Sequence, residues 1–244
     1  MSSLYLREDL GTAENGAMVE LAGAEAKHAV TVNRSRIGDE IRIGNGRGLI
    51  VRGVIETLEL GTVGVRAIEV TVEQEPSPRL VLVQALAKGD RDEMAIQAAT
   101  ELGVSAIIPW AASRSVSRWE GMKKEKGRIR WETIVREASK QSIRSFVPPV
   151  FPIASTADLQ ELAGTSRVVL LDPTASERLS QLDVAGDGRD ILLVVGPEGG
   201  ISDAELESVS AAGAIRARLG DTVLRTSSAG PAALAVLNVA LGRW

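Results

Sequence analysis

The sequence has no cysteine and a single histidine, His28, and these shortages exclude several kinds of chemistry. Without cysteine, the chain forms no disulfide framework and offers no thiolate for a zinc finger, an iron–sulfur cluster or nucleophilic catalysis. A lone histidine with no second histidine beside it is more typical of a structural or surface residue than of a metal ligand or a general base. We therefore expect no metal site, and any catalysis must use other groups.

Long apolar runs are also missing. No stretch approaches the roughly 18 uninterrupted apolar residues that a membrane span requires, and the first residues lack the basic and apolar regions of a secretory signal. We expect a soluble, cytoplasmic protein with no membrane partner. The 244 residues are enough for two domains, each with its own core.

The net charge of −4 argues against a protein that simply coats nucleic acid, but the charge is unevenly distributed. Residues 27–52 carry six basic side chains against two acidic ones, and residues 113–145 carry ten against four, whereas residues 155–215 carry eleven acidic side chains against three basic ones. A single basic run is usually a solvated face. Two such zones in an acidic protein favour a polyanionic partner.

Residues 1–73 are predicted to form a small β domain. After a short helical stretch that ends at residue 32, alternating segments at 40–43, 49–58 and 63–72 are punctuated by glycines. Such short strands suggest a compact barrel, closed so that no long edge is left unpaired. Residues 74–79 contain two prolines and are predicted to be a linker.

From residue 80 onward the pattern changes to alternating strands and helices, which is typical of a parallel sheet. Strands are predicted at 80–85, 106–109, 167–171 and 191–195, and helices at 92–102, 123–141 and 231–241. The last two strands are continuous apolar runs and should be buried on both faces. The final helix is expected to begin near Ser228 or Gly230, with Pro231 in its first turn.

The clearest candidate site is Gly196-Pro-Glu-Gly-Gly-Ile-Ser-Asp-Ala-Glu205, which directly follows the strand at 191–195. Ligands of parallel sheets bind at the carboxyl ends of strands, and Ser202 and Glu205 have the spacing of a capping box. The segment matches no phosphate-binding fingerprint, and Glu198 would repel a phosphate. An uncharged or cationic ligand with hydroxyls, such as an adenosyl sulfonium, fits better. A plain strand-to-helix turn with an exposed Glu198 is the alternative.

Two further segments carry polar residues that could serve a site. Arg225 lies between neighbours that look buried, and an ion pair with Asp221 is its simplest explanation. Helical spacing places Lys140 and Arg144 on one face, next to Gln141. Trp110, Trp119, Trp131 and Trp244 could stack on bases, although packing is the commoner role of tryptophan.

Several motifs, in a shared order and spacing, resemble the RsmE family of 16S ribosomal RNA uridine N3-methyltransferases over nearly the whole chain. The motifs are residues 28–40 with Gly46-Arg-Gly48, Lys88 with residues 97–104, residues 137–144, residues 196–200, Leu219-Gly220 and Leu224-Arg-Thr226. The chain differs from the family at Ser227 and Ser228, where an acidic residue usually follows Leu-Arg-Thr.

The resemblance implies an N-terminal PUA-like β-barrel for RNA binding (1–73), a linker (74–79) and a C-terminal SPOUT α/β domain with a trefoil knot (80–244). It also implies a homodimer, S-adenosyl-L-methionine as cofactor, and 16S rRNA of the small subunit as partner. The cofactor-binding residues would be Leu171, Gly196, Gly199, Gly200, Ile201, Leu219, Gly220 and Leu224. The RNA-binding residues would be Lys27, His28, Arg34, Arg36 and Arg47.

Methyl transfer from a sulfonium to the N3 of uridine needs no metal and no covalent intermediate, but the N3–H proton must be lost. The absence of cysteine is consistent with a nitrogen or oxygen acceptor, because methylation at carbon 5 of a pyrimidine usually needs a thiolate. We assign Arg144 as the cation that stabilises the oxyanion, Glu198 as a base or ribose contact, and Arg225 as a substrate or loop-anchoring group. The alternatives are a non-catalytic RNA-binding or ribosome-assembly module and a ribose 2′-O-methyltransferase.

Overall fold

The chain divides into two compact units. In this computed structural model, the described residues are 4–59, 61–184 and 186–244. The first unit comprises Met1–Glu75 and Ser139–Val147, and the second comprises Pro76–Ala138 and Pro148–Trp244. Among the described residues, no helix is long and apolar enough to cross a membrane.

The first unit is built on a mixed sheet with the strand order β1-β3-β4-β5-β2. Its elements are β1 (Leu4–Leu6), β2 (Met18–Ala22), α1 (Gly23–Lys27) with a π turn at His28–Val32, β3 (Glu40–Gly44), β4 (Leu49–Glu59) and β5 (Thr62–Val72). The predicted strands at 40–43, 49–58 and 63–72 are confirmed. Alternate residues of β4 face the core, as the twofold period of a strand requires.

A β-bulge bends the long β4–β5 hairpin. The pairing register shifts between Arg52 and Gly53, and a Cβ on Gly53 would lie only 2.5 Å from the carbonyl oxygen of Arg66. Glycine is therefore required at this position, because the strands approach too closely for a side chain.

The second unit is a parallel sheet with the strand order β10-β8-β9-β6-β7 and helices packed on it. Its elements are β6 (Leu80–Ala85), α2 (Arg91–Glu101), β7 (Ala106–Trp110), α3 (Met122–Gln141, whose last residues from Ser139 belong to the first unit), α4 (Thr156–Ala163), β8 (Arg167–Leu171), β9 (Ile191–Val195), α5 (Asp203–Ala211), β10 (Ile215–Ala217) and α6 (Thr226–Ala240). The predicted strands at 167–171 and 191–195 are confirmed, and β9 is buried along its whole length.

The last helix begins earlier than predicted. We expected a start near Ser228 or Gly230, but α6 begins at Thr226, and the backbone N–H groups of Ser228 and Ala229 already donate to the carbonyl oxygen of Arg225. Pro231 therefore lies inside the helix, not in its first turn. The tertiary contacts of Thr226, described below, account for the earlier start.

The end of α3 confirms the predicted helix boundary but not the predicted position of Arg144. The helix ends at Gln141, as predicted, and Ile143 has a positive φ of 55°, which is strained for a β-branched residue and turns the chain out of the helical course before Arg144. Lys140 and Arg144 therefore do not share a helix face. The backbone N–H of Arg144 folds back to donate to the carbonyl oxygen of Ser139.

A buried ion pair lies at this end of α3 within the first unit. Lys140 Nζ is 3.0 Å from Glu25 Oε1, and their side chains are only 6% and 11% exposed. Lys140 Nζ also lies 3.5 Å from Nδ1 of His28, whose ring packs edge-on against Tyr5. His28 is thus a structural neighbour of the ion pair.

We predict that Lys140→Ala destabilises the protein by about 3–5 kcal/mol, because it leaves the Glu25 carboxylate buried without this cation. Urea denaturation followed by circular dichroism measures the loss. The double variant Glu25→Leu/Lys140→Met should recover most of it, since both charges are removed. The exposed control Glu137→Ala should change stability by less than about 0.5 kcal/mol. Equal losses for Lys140→Ala and the control would contradict the prediction.

Candidate cofactor site

A cavity of about 570 Å³ opens at the carboxyl ends of β8, β9 and β10 in the second unit. The size suits a small-molecule site, for which about 300–1,000 Å³ is usual. The apolar part of its lining consists mainly of Leu171, Val195, Ile201, Ala217, Leu219 and Leu224. Ligands of open parallel sheets bind at the carboxyl ends of the strands, and this cavity lies at that end of the sheet.

The turn at Gly196–Gly200, here called the glycine turn, forms one wall of the cavity. A Cβ on Gly196 would lie 2.8 Å from Ile201 Cγ1 and 3.0 Å from the Ile201 backbone nitrogen, and Gly200 has a φ of +73°. Both positions therefore require glycine. The backbone of the turn is left accessible to a ligand.

The predicted capping box after the glycine turn is confirmed. The Ser202 side chain accepts a hydrogen bond from the backbone N–H of Glu205, and the Glu205 side chain accepts one from the backbone N–H of Ser202. The Glu205 carboxylate also accepts hydrogen bonds from the backbone N–H of Ser113 at 2.8 Å and from its hydroxyl at 2.7 Å. Burial raises the pKa of Glu205, but the hydrogen bonds from Ser202 and Ser113 outweigh it and hold the pKa below its ordinary value. Glu205 thus ties the loop after β7 to the start of α5.

The hydrogen bonds between Ser113 and Glu205 hold the next residue, Arg114, at the cavity. Arg114 Nη1 donates to the carbonyl oxygens of Gly199 and Ile201, at 3.2 and 3.3 Å. Arg114 was not among the site residues predicted from the sequence. Its position shortly after the predicted strand that became β7, at the carboxyl edge of the sheet, could have identified it.

Glu198 lines the cavity and is held by two donors. Its Oε1 accepts hydrogen bonds from the backbone N–H of Lys88 at 3.0 Å and from Arg91 Nη1 at 2.8 Å. Burial raises the pKa of Glu198, but hydrogen bonds from its own backbone N–H, from Lys88 and from Arg91 outweigh it, so the pKa lies below its ordinary value. The carboxylate is therefore ionised at neutral pH and is only a weak base. It suits a contact with a hydroxyl or a cation better than the removal of a proton.

Thr226 links three elements beneath the cavity. Its hydroxyl donates to the carbonyl oxygen of Gly196 at 2.8 Å and accepts from Gln84 Nε2 at 2.9 Å. Gln84 is fully buried at the end of β6. The first residue of α6 is thereby joined to the glycine turn and to β6.

The predicted surroundings of Arg225 were right only in part. Of its two neighbours in the chain, Thr226 is buried, at 6% exposure, but Leu224 is 39% exposed. Asp221 lies near Arg178 and Arg218, at 3.5 and 3.8 Å, and forms no ion pair with Arg225 among the described residues. Arg225 itself lines the cavity as an exposed cation.

The structure brings most of the proposed cofactor residues together. All of them line the cavity except Gly199, which lies in the glycine turn, and Glu198 and Arg225 line it as well. Arg144 does not line the cavity and belongs to the first unit, where burial lowers the pKa of its guanidinium to about 10, so that it still carries its charge at neutral pH. The proposed RNA-binding residues Lys27, His28, Arg34, Arg36 and Arg47 all lie in the first unit.

The residues of the cavity fit S-adenosylmethionine. The apolar wall suits a flat adenine ring, and the backbone of the glycine turn offers hydrogen-bonding groups. Glu198 and Asp203 supply negative charge for a sulfonium or an amine, and Arg114 and Arg225 supply positive charge for a carboxylate. Trp110 and Trp131 are buried and serve packing.

The two units and the cavity define a protein of the RNA methyltransferase class. A family model described as an RNA methyltransferase domain matches residues 73–238, and a model described as an RNA methyltransferase PUA domain matches residues 21–64. Because it is 40% identical, over 95% of its length, to a ribosomal RNA small subunit methyltransferase E, the chain belongs to that family.

Two relatives of that name are similar along most of their length. The Mycobacterium bovis protein is 40% identical over 236 residues, which cover 95% of this chain and 90% of the relative. The Bacillus subtilis protein is 31% identical, with coverage of 92% and 91%. A crystal structure of the Neisseria gonorrhoeae protein of that name, bound to S-adenosyl methionine, is 26% identical with a TM-score of 0.83 and covers 98% of both chains.

We predict that Gly196→Ala lowers the affinity for S-adenosylmethionine by about 10- to 100-fold, because the added methyl group displaces Ile201 and the wall of the cavity. Titration calorimetry measures the dissociation constant. Gly11→Ala is the control, since a Cβ on Gly11 meets nothing within 4 Å. An unchanged affinity in Gly196→Ala would show that the glycine turn does not shape the cofactor site.

Proposed function

We propose that this protein uses S-adenosylmethionine to methylate N3 of a specific uridine in the 16S rRNA of the small ribosomal subunit. The observation that carries the proposal is the cavity of the second unit, where the glycine turn, the loop after β8 and the segment before α6 converge. Membership of the small subunit methyltransferase E family supports the same activity.

We propose the domain organisation that the sequence suggested: a PUA-like barrel over 1–73, a linker over 74–79 and a SPOUT domain with a trefoil knot over 80–244, of which Ser139–Val147 belongs structurally to the first unit. The mixed sheet of β1–β5 and the PUA model at residues 21–64 support the first assignment. The central position of β9 and the hydrogen bond from Thr226 to the Gly196 carbonyl support the second, because the last segment of the chain closes onto the glycine turn.

When bound, the cofactor supplies a methyl group on a sulfonium. The chain's own residues then have to position the uridine, accept or steer the N3 proton and stabilise the oxyanion. Arg225 lies at the cavity and fits a contact with the substrate. Glu198, ionised and held by Lys88 and Arg91, fits a ribose contact better than the role of general base. Arg144 keeps the proposed role of the oxyanion-stabilising cation.

The first unit supplies a surface for the RNA. Lys27, Arg34, Arg36 and Arg47 are exposed, and their side chains form no ion pair with described residues. His28 is half-buried beside Lys140. Because N3 lies on the Watson–Crick edge, the target uridine has to be unpaired or flipped out of a helix.

A homodimer and a cytoplasmic location complete the proposal. Val223, Val239 and Trp244 expose apolar surface before, on and after α6, at 80%, 62% and 62%. Exposed apolar surface of this kind fits a contact between two copies of the chain. An rRNA substrate places the enzyme where ribosomes are assembled.

We predict that the protein with S-adenosylmethionine produces 3-methyluridine in 16S rRNA or in small subunits from cells that lack this enzyme. Mass spectrometry of the digested nucleosides identifies the product. A 2′-O-methylated nucleoside would replace the proposed acceptor with ribose. Failure to bind the cofactor in calorimetry, with RNA binding intact, would indicate a non-catalytic RNA-binding module.

We predict that Arg144→Ala lowers kcat by about 100-fold or more, as removal of an oxyanion-stabilising group does in other enzymes, and leaves the affinity for S-adenosylmethionine nearly unchanged. Single-turnover methylation and calorimetry measure the two quantities. Arg136→Ala is the matched control from the same stretch, since Arg136 is paired with Glu137. A loss of cofactor binding in Arg144→Ala would refute the assignment.

A further inference from the structure

We propose that Arg114, Arg118, Lys123, Lys124 and Lys126, here called the basic strip, bind the phosphate backbone of the RNA next to the methyl-transfer cavity. The inference rests on the proposed function and adds a second RNA contact, in the methyltransferase unit, to the surface proposed for the first unit. All five residues belong to the second unit.

Ion pairs separate the basic strip from four other basic residues of 113–145, and the remaining one, Arg144, is largely buried in the first unit. Arg128 pairs with Glu125 and Glu132, Arg130 with Glu93, Arg136 with Glu137 and Lys140 with Glu25. These pairs neutralise the later part of the run. The positive charge that remains is therefore concentrated at its beginning.

The members of the basic strip are exposed and keep their charge uncompensated. Among the described residues, Arg114 and Arg118 donate only to backbone carbonyl oxygens, at Gly199, Ile201 and Ser113. Lys123, Lys124 and Lys126 are exposed, and their side chains form no ion pair or hydrogen bond with described residues. Charged groups of this kind are available to a polyanion.

Lys123 and Lys124 are placed where positive charge destabilises the helix α3. Lys123 and Lys124 lie in the first turn, where the helix dipole disfavours positive charge. Glu125 is in the same turn, but it is held by Arg128. Helix stability therefore does not account for the lysines, whereas a contact with phosphates does.

A continuous set of contacts connects the basic strip to the cavity. Arg114 bonds to the glycine turn, and Arg118 Nη2 donates to the carbonyl oxygen of Ser113 at 3.1 Å. Trp119 packs so closely on α3 that a Cβ on Gly127 would lie 2.3 Å from its ring, and it packs edge-on against Trp131 with ring centroids 5.1 Å apart. These contacts hold the loop between β7 and α3 in place, so that the strip extends from the cavity to the first turns of α3.

Exposed apolar side chains lie along the same segment. Val116 is 73% exposed and Met122 is 92% exposed. Apolar side chains interspersed with cations can contact bases and riboses while the cations contact phosphates. Because a nucleotide that enters the cavity has phosphates on both sides, RNA fits this surface, and a second copy of the chain is the alternative occupant to be tested.

The test is the triple variant Lys123→Ala/Lys124→Ala/Lys126→Ala. We expect KM for the 16S rRNA substrate to rise by about tenfold or more, with a larger effect on KM than on kcat. The logarithm of the RNA-binding constant falls with the logarithm of the salt concentration, and this slope should become about 2–3 less steep in the variant. Each phosphate contact contributes about 0.7–0.9 to the steepness of the slope. The triple Lys→Arg variant should restore the slope, because it keeps the charge.

One control variant and one measurement on the wild-type protein separate this inference from the proposed function. Arg189→Ala removes an exposed cation that is paired with Asp187, outside the strip, and should leave methylation unchanged. If the wild-type protein binds RNA but does not methylate it, the proposed function fails, and the basic strip is judged by the salt dependence of binding alone. An unchanged KM and salt slope in the triple alanine variant would overturn the inference. The inference would also be overturned if the triple alanine variant lost its dimer in sedimentation but kept its RNA affinity, because the strip would then be a contact between two copies of the chain.

Discussion

The hydrogen bond between the Thr226 hydroxyl and the Gly196 carbonyl connects the parts of the chain on which the candidate site depends. Gly196 begins the glycine turn at the end of the central strand β9, and Thr226 begins the last helix. Gln84, from the neighbouring strand β6, holds the same hydroxyl from beneath. Because all three groups are buried or nearly so, each would leave an unsatisfied polar partner if another were removed. This small network sets the distance between two walls of the cavity.

Around this network, carboxylates organise the loops instead of acting as free acids or bases. Glu205 gathers the hydroxyl and backbone N–H groups of Ser113 and Ser202, and Glu198 gathers the backbone of Lys88 and the guanidinium of Arg91. In both cases the hydrogen bonds hold the pKa of the carboxylate below its ordinary value. The arginines that remain at the cavity, Arg114 and Arg225, supply the positive charge for an anionic group of the cofactor or the RNA.

Two groups of basic residues can be distinguished, those exposed without an ion pair within the described part of the chain and those paired with glutamates. An acidic protein must bind an acidic substrate through local surfaces, and exposed cations that form no ion pair with described residues can provide them. Lys27, Arg34, Arg36 and Arg47 are the cations proposed to bind RNA in the first unit, and the basic strip is the surface proposed for the second. The arginines of α3 beyond residue 127 are engaged with glutamates and stabilise the helix and its neighbours.

The sequence by itself determined the elements whose signals are local. The apolar runs of β8 and β9, the alternation of β4 and β5, and the capping box of Ser202 and Glu205 were predicted correctly, because side-chain period and capping depend on residues that are near in the chain. The location of the ligand cavity followed from the end of β9 by the same logic. Only the tertiary structure decided the early start of α6 at Thr226, the backbone turn that takes Arg144 off the face of α3, the exposure of Arg225, and the hydrogen-bond partners of Arg91 and Arg114. These features arise from contacts between residues far apart in sequence, which no local pattern records.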